Sequence, residues 1–189
     1  EEKRAFAAKR ASAATEQEHR YQQAALQADI TLRSAKPDHH PYLEMKGFKD
    51  EKGLVLDDRL LIPMRNVATN KLQGYQAIQW LPEEMKYEKK MVFGMRARNA
   101  VLRLGRESDE TWIVEGYATG LSVKKALQSV GIAASVVVAF SATNLISIAD
   151  QIQGNRFIFA DNDASGTGER VAKETGLPYA MADEVGDDA

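Results

Sequence analysis

Across residues 111–181, short and continuously apolar segments alternate with helical ones, and this rhythm constrains the fold more than any other feature of the chain. Thr111-Trp112-Ile113-Val114-Glu115 reads as a buried strand that ends in an acid and Gly116. Residues 118–130 read as a helix stopped by Gly131, and residues 132–138 as a second buried strand. Thr143 or Asn144 caps a helix running through Ile152, with Gly154 beyond it. Asn155–Ala160 is a third strand, Thr167–Thr175 a third helix stopped by Gly176 and Pro178, and Tyr179-Ala180-Met181 a fourth strand. A β-α-β-α-β-α-β order with apolar strands predicts an α/β fold whose parallel sheet is covered on both faces. In such sheets functional groups collect at the carboxyl ends of the strands.

Two of those ends carry acids. Glu115-Gly116 closes the first strand, and Asp161-Asn162-Asp163-Ala164-Ser165-Gly166 closes the third. Residues two apart in extended chain point the same way, and hard divalent cations take oxygen ligands. An Asp at a strand-to-helix turn is also a common helix cap, so the motif admits either a cation or a cap. Adjacent parallel strands would draw Glu115, Asp161 and Asp163 close enough to repel one another unless a cation lay among them.

Upstream the pattern differs. Residues 1–33 lack Gly and Pro and are rich in Ala, which predicts a long helix, with Tyr21, Ala25, Ala28 and Leu32 spaced along one side. Its first half has little apolar surface beyond Phe6, as expected of an exposed connector. Pro37 and Pro41 end it; His39 and His40 between them read as loop residues more readily than as metal ligands. Residues 42–106 predict a small β-rich unit: a helical turn at Tyr42 closed by Gly47, an apolar strand Arg59-Leu60-Leu61-Ile62-Pro63-Met64, a turn near Asn70, and an alternating strand through Trp80. Residues 82–90 read as a charged loop. Trp80 and Trp112 flank strands and are expected to pack there, although either ring could stack on a base. The expected partition is a connector helix at 1–36, a basic β-rich subdomain at 37–108 and an α/β subdomain at 109–189.

Composition narrows the function classes. The chain has no cysteine, which excludes a disulfide scaffold and Cys-ligated zinc and fits a cytoplasmic protein. No apolar run approaches the roughly 20 residues of a membrane helix, and the charged start resembles no signal peptide. Net charge is −2, so nucleic-acid binding would have to come from local charge. Basic residues dominate residues 86–106, whereas residues 183–188 are acidic. A start without Met and an acidic end are expected of a piece of a longer protein.

In this order the motifs resemble the catalytic core of DnaG-type primases, which contains a Toprim domain. Ile113-Val114-Glu115-Gly116-Tyr117 is similar to the primase Val-Glu-Gly-Tyr-Met-Asp motif, and Phe140-Ser141-Ala142-Thr143-Asn144 to its Gly-Thr-Ala-Leu-Thr segment. Asp161-Asn162-Asp163-Ala164-Ser165-Gly166 stands where primases have Asp-Gly-Asp-x-Ala-Gly, and Gly186-Asp187-Asp188 resembles the start of Gly-Lys-Asp-Pro-Asp. Arg59-Leu60-Leu61-Ile62-Pro63-Met64-Arg65-Asn66, Gly74-Tyr75 and Lys86-Tyr87 are similar to the upstream primase elements. His40-Pro41-Tyr42-Leu43-Glu44-Met45-Lys46-Gly47 resembles the version found in plasmid, phage and integrative-element primases. Three positions depart: Thr119 replaces an Asp, Ile78 an Arg, and Glu88-Lys89 an Asn-Ser pair.

The resemblance implies a Toprim sheet preceded by a primase N-terminal subdomain. It implies synthesis of short RNA primers on single-stranded DNA from nucleoside triphosphates, in a mobile element and beside a replicative helicase, fused or separate. Glu115, Asp161, Asp163 and Asp188 would hold Mg²⁺ or Mn²⁺, with Glu115, Asp161 and Asp163 the catalytic acids. Arg65, Lys86, Lys89, Lys90, Arg96 and Arg98 would line a groove for template and triphosphate. A Toprim nuclease, or a DNA-binding module with weakened catalysis, would keep the same acids or the same surface.

Overall fold

A computed structural model describes residues 2–183 of the 189, organised as two compact units. The first comprises residues 1–64 and 72–97; the second comprises residues 65–71 and 98–189. The segment 98–108 belongs to the second unit.

In the first unit, the Ala-rich stretch forms one helix, α1 (Glu2–Ser34). Its opening half is exposed as expected, with Phe6 64% exposed. The other half is no bare connector. Ala28 is fully buried, and it packs with Leu32 against Leu61, Tyr75 and Ala77. The strands are β1 (Lys36–Asp38), β2 (Gly53–Leu56), β3 (Arg59–Asn66), β4 (Leu72–Leu81) and β5 (Lys86–Met91), adjacent in that order, with a short α2 (Pro41–Met45) between the first two. Pairing is antiparallel from β1 to β3 and between β4 and β5. Two expectations change here. Residues 36–38 form an edge strand instead of loop, and residues 86–90 form a strand instead of a charged loop, because each finds an antiparallel partner that sequence alone does not reveal. His40 is a structural residue: its Nδ1 accepts from the Tyr42 amide at 3.2 Å as the N-cap of α2, and its Nε2 lies 3.1 Å from the Asp58 carbonyl.

The second unit realises the alternating rhythm. It contains β6 (Ala100–Leu104), β7 (Glu110–Val114), α3 (Tyr117–Ser129), β8 (Ser135–Val138), α4 (Ala142–Ala149), β9 (Asn155–Ala160), α5 (Thr167–Thr175) and β10 (Tyr179–Met181). The strand order is β6-β8-β7-β9-β10. β8, β7, β9 and β10 run parallel, whereas β6 is antiparallel to β8, so the sheet is mixed. Arg65 and Asn66, the last residues of β3, pair with Val101 and Ala100 of β6.

Strand alternation divides the core between the two faces. Ile113, Val137 and Ile158 join Leu145 and Ile148 of α4 and Val171 and Ala172 of α5. Their neighbours Val114, Val136 and Val138 join Val123 and Leu127 of α3. Both faces are therefore covered, as continuously apolar strands require. Gly120 of α3 permits the close fit: a Cβ there would lie 2.8 Å from Val138 Cγ2.

Candidate active site

Register places the acids. Val114 of β7 pairs with Phe159 of β9, so Glu115 leaves one strand where Asp161 is about to leave its neighbour. Both residues are half-buried at the carboxyl edge of the second unit's sheet. The two exits differ in length. After Glu115 the chain enters α3 at once, with Gly116 as N-cap and no side-chain cap. After Asp161 it makes a five-residue turn before α5, whose N-cap, Gly166, is left-handed (φ +66).

Within that turn Asp163 is heavily engaged. Its Oδ1 accepts from the Ser165 amide at 2.7 Å, from the Ser165 hydroxyl, and from the Thr167 amide at 3.4 Å; its Oδ2 accepts from the Gly168 amide at 3.2 Å. These donors, the Ser165 hydroxyl foremost and the backbone amides after it, hold the Asp163 carboxyl below the ordinary carboxylate range. The cap that the motif admitted is thus formed by Asp163. Asn162 turns the other way, and its Nδ2 donates to the Ala182 carbonyl at 2.9 Å.

Asp161 faces α3. The Thr119 hydroxyl, buried in the first turn of that helix, lies 3.4 Å from Asp161 Oδ1. Its backbone is wedged as well: a Cβ at Gly168 would sit 2.0 Å from the Asp161 carbonyl oxygen, so α5 can begin here only with glycine at that position. The third exit, from β8, is fixed by Asn144. Its Nδ2 donates to the carbonyls of Ala100 and Ala139, both at 2.8 Å, while its Oδ1 accepts from the Asn99 amide at 2.6 Å. Phe140 in the same turn adopts φ +66, an unusual conformation for a side chain of that size.

The donor chemistry at these ends is oxygen-only, which suits a hard divalent cation. Glu115 and Asp161 fit such an ion by type and by strand position. Asp163 is engaged by donors of its own turn, and among the described residues no group of three or more His, Asp or Glu side chains is arranged to hold a metal. Asp188 lies outside the described residues.

The expected cations distribute differently from a single stripe. Lys86, Lys89, Lys90 and Arg96 belong to the first unit, Arg65 and Arg98 to the second. Pleating of β5 sends Lys86 and Lys90 to one face and Lys89 to the other. Lys86 pairs with Glu84 at 2.5 Å and Lys90 with Glu88 at 2.8 Å. The Lys89 ammonium lies 5.6 Å from the Tyr42 ring centroid. Arg96 pairs with Glu18 of α1 and stacks over Tyr21 at 4.6 Å. Arg65 donates to the Asn70 carbonyl at 3.2 Å, and Arg98 is exposed ahead of β6. On the Lys89 face, Tyr87 contacts Trp80 and Tyr42 edge-on, with centroids 5.0 and 5.2 Å apart, and burial raises its hydroxyl pKa. Trp80 keeps 39% of its surface exposed, whereas Trp112 stacks on Phe157.

The sequence marked Thr119 only as a departure from a primase acid and Asn144 only as a possible helix cap, a place that Ser141 takes, and it assigned Gly168 no part. Asp followed two residues later by Ser was a legible turn signal. The contacts of Thr119 and Asn144 were not, since each joins segments more than 40 residues apart. No family model and no curated protein matches the chain. No helix among the described residues is long and apolar enough to cross a membrane.

Proposed function

We propose that this chain is the catalytic core of a mobile-element DNA primase that makes short RNA primers on single-stranded DNA from nucleoside triphosphates, using Mg²⁺ or Mn²⁺. The observation that carries the reading is the delivery of Glu115 and Asp161 from the ends of two adjacent parallel strands. The order of motifs from His40 to Asp188 supports it.

Glu115 and Asp161 would hold the cation, which when bound supplies charge neutralisation for the triphosphate and a lowered pKa for the attacking 3′-hydroxyl. The chain's own work is positional. Buried β7 and β9 fix the two carboxylates against a packed core, and the Thr119 hydroxyl orients Asp161. Lys89, on the face that carries Trp80, and the exposed Arg65 and Arg98 would meet template phosphate, and Lys86 and Lys90 would do so on releasing Glu84 and Glu88. A replicative helicase, fused or separate, is the expected partner.

One assay tests this reading. The protein is incubated with single-stranded DNA, ribonucleotides and Mg²⁺ or Mn²⁺. New short RNA supports primer synthesis, shortened DNA replaces it with a nuclease, and binding without either product replaces it with a DNA-binding module. That last outcome has an observation in its favour, Thr119 in place of an acid beside Asp161.

A further inference from the structure

We infer that the two aspartates of Asp161-Asn162-Asp163 do different jobs: Asp161 is the cation ligand, and Asp163 is a clamp that positions it. The inference rests on the cation reading above for Asp161, but its core, the clamp, stands on contacts within the second unit alone.

The argument begins with acceptor capacity. A carboxylate has about four lone-pair sites. On Asp163 three donors, two from Ser165 and the Thr167 amide, converge on Oδ1, and the Gly168 amide donates to Oδ2. Turning the carboxylate away from these donors would strip the first turn of α5 of its acceptor, and Gly166, the N-cap, has no side chain to replace it. The Ser165 hydroxyl also contacts Thr167 Oγ1 at 2.7 Å, which closes a short network around the same carboxylate.

The clamp reaches Asp161 through Gly168. The amide that Oδ2 of Asp163 accepts belongs to the residue wedged against the Asp161 carbonyl, where even a Cβ would approach to 2.0 Å. Holding Gly168 therefore holds the Asp161 backbone, and the Thr119 hydroxyl then meets its side chain. In this arrangement Asp163 acts at one remove. It follows that a side chain able to cap but unable to bind a cation, such as serine, can replace it.

The test uses the full chain and Mn²⁺, with two readouts: Mn²⁺ affinity by electron paramagnetic resonance, and hydrogen exchange at the Ser165, Thr167 and Gly168 amides. D163S is expected to keep those amides protected and to bind Mn²⁺ within about threefold of wild type. D163A is expected to speed exchange at all three amides and to weaken Mn²⁺ by about tenfold, the scale of a lost supporting contact. D161N is expected to lose Mn²⁺ while the amides stay protected. D163N, which retains one acceptor oxygen, takes the place of D163S should that variant fail to fold. If D163S loses Mn²⁺ as completely as D161N with its amides still protected, Asp163 is a ligand and the inference is overturned. If D163A leaves exchange unchanged, the clamp is overturned. A wild-type chain that binds no Mn²⁺ overturns the cation reading instead, and the exchange arms then decide the clamp by themselves.

Discussion

The exits from β7 and β9 sit side by side in one sheet and begin alike, an acid at the end of an apolar strand, yet they are built on different principles. The β7 exit is immediate: Gly116 caps α3 without a side-chain bond. The β9 exit is long, and one of its own acids holds it together through Ser165, Thr167 and Gly168. A short turn has few backbone groups to satisfy. A long turn must first supply its own hydrogen-bond acceptors, and an acid used for that purpose is committed before any ligand arrives. The β8 exit makes the same point without an acid, because Asn144 does the holding there with three hydrogen bonds to backbone.

Breaking the comparison at its centre should have the largest effect. Asp161→Ala is expected to abolish primer synthesis while circular dichroism and melting remain those of wild type; retained synthesis would remove Asp161 from the site. Next in size, Asn144→Ala leaves three backbone groups without their partner in a buried place and should cost about 3 kcal/mol of stability, read from urea melts. That loss should come without a selective change in Mn²⁺ affinity, in contrast to Asp161. Gly168→Ala should lower the melting temperature and shift the backbone resonances of Asp161, since the added methyl must displace the Asp161 carbonyl.

A smaller effect is expected from pH at the far edge of the sheet. Glu169 of α5 accepts from Tyr179 of β10 at 2.9 Å and pairs with Lys173 at 2.8 Å. The Glu169 carboxyl is held below its ordinary range, by Lys173 first and Tyr179 second. The Lys173 ammonium and the Tyr179 hydroxyl are both held above theirs, by Glu169 first. A lowered carboxyl stabilises the fold above its unfolded pKa and loses that contribution as pH falls through the folded value. The raised lysine and tyrosine stabilise below their unfolded values and lose it as pH rises through the folded ones. The docking of β10 on α5 should therefore hold from mild acid to mild alkali and weaken beyond both ends. Because the groups are exposed, the amplitude is small and salt reduces it. Melting curves of Glu169→Gln, flat across the same range, would confirm the source.

The smallest effect concerns the first unit. Lys89→Ala should weaken single-stranded DNA binding modestly and reduce its salt dependence, whereas Lys86→Ala, which first frees Glu84, should do less. Equal losses from both would restore a single basic stripe.

Much of this was legible in the chain. The end of β9 follows from an apolar run stopped by Asp161, because a strand packed on both faces must be apolar and cannot continue past such a residue, and the end of α5 and start of β10 follow from Gly176 and Pro178. The strands β1 and β5 were not legible: Lys36–Asp38 and Lys86–Met91 are polar, and their strand character comes from a neighbour's hydrogen bonds rather than from their own side chains. Asp163 shows the same division at the site. Its spacing from Asp161 belongs to the sequence, which marked both as acids at a strand end. Which of them caps a helix and which faces α3 depends on where the amides of Ser165, Thr167 and Gly168 and the hydroxyl of Thr119 come to rest. Spacing along a strand sets direction over a few residues. Contacts across a sheet are set by packing, and only the folded chain decides them.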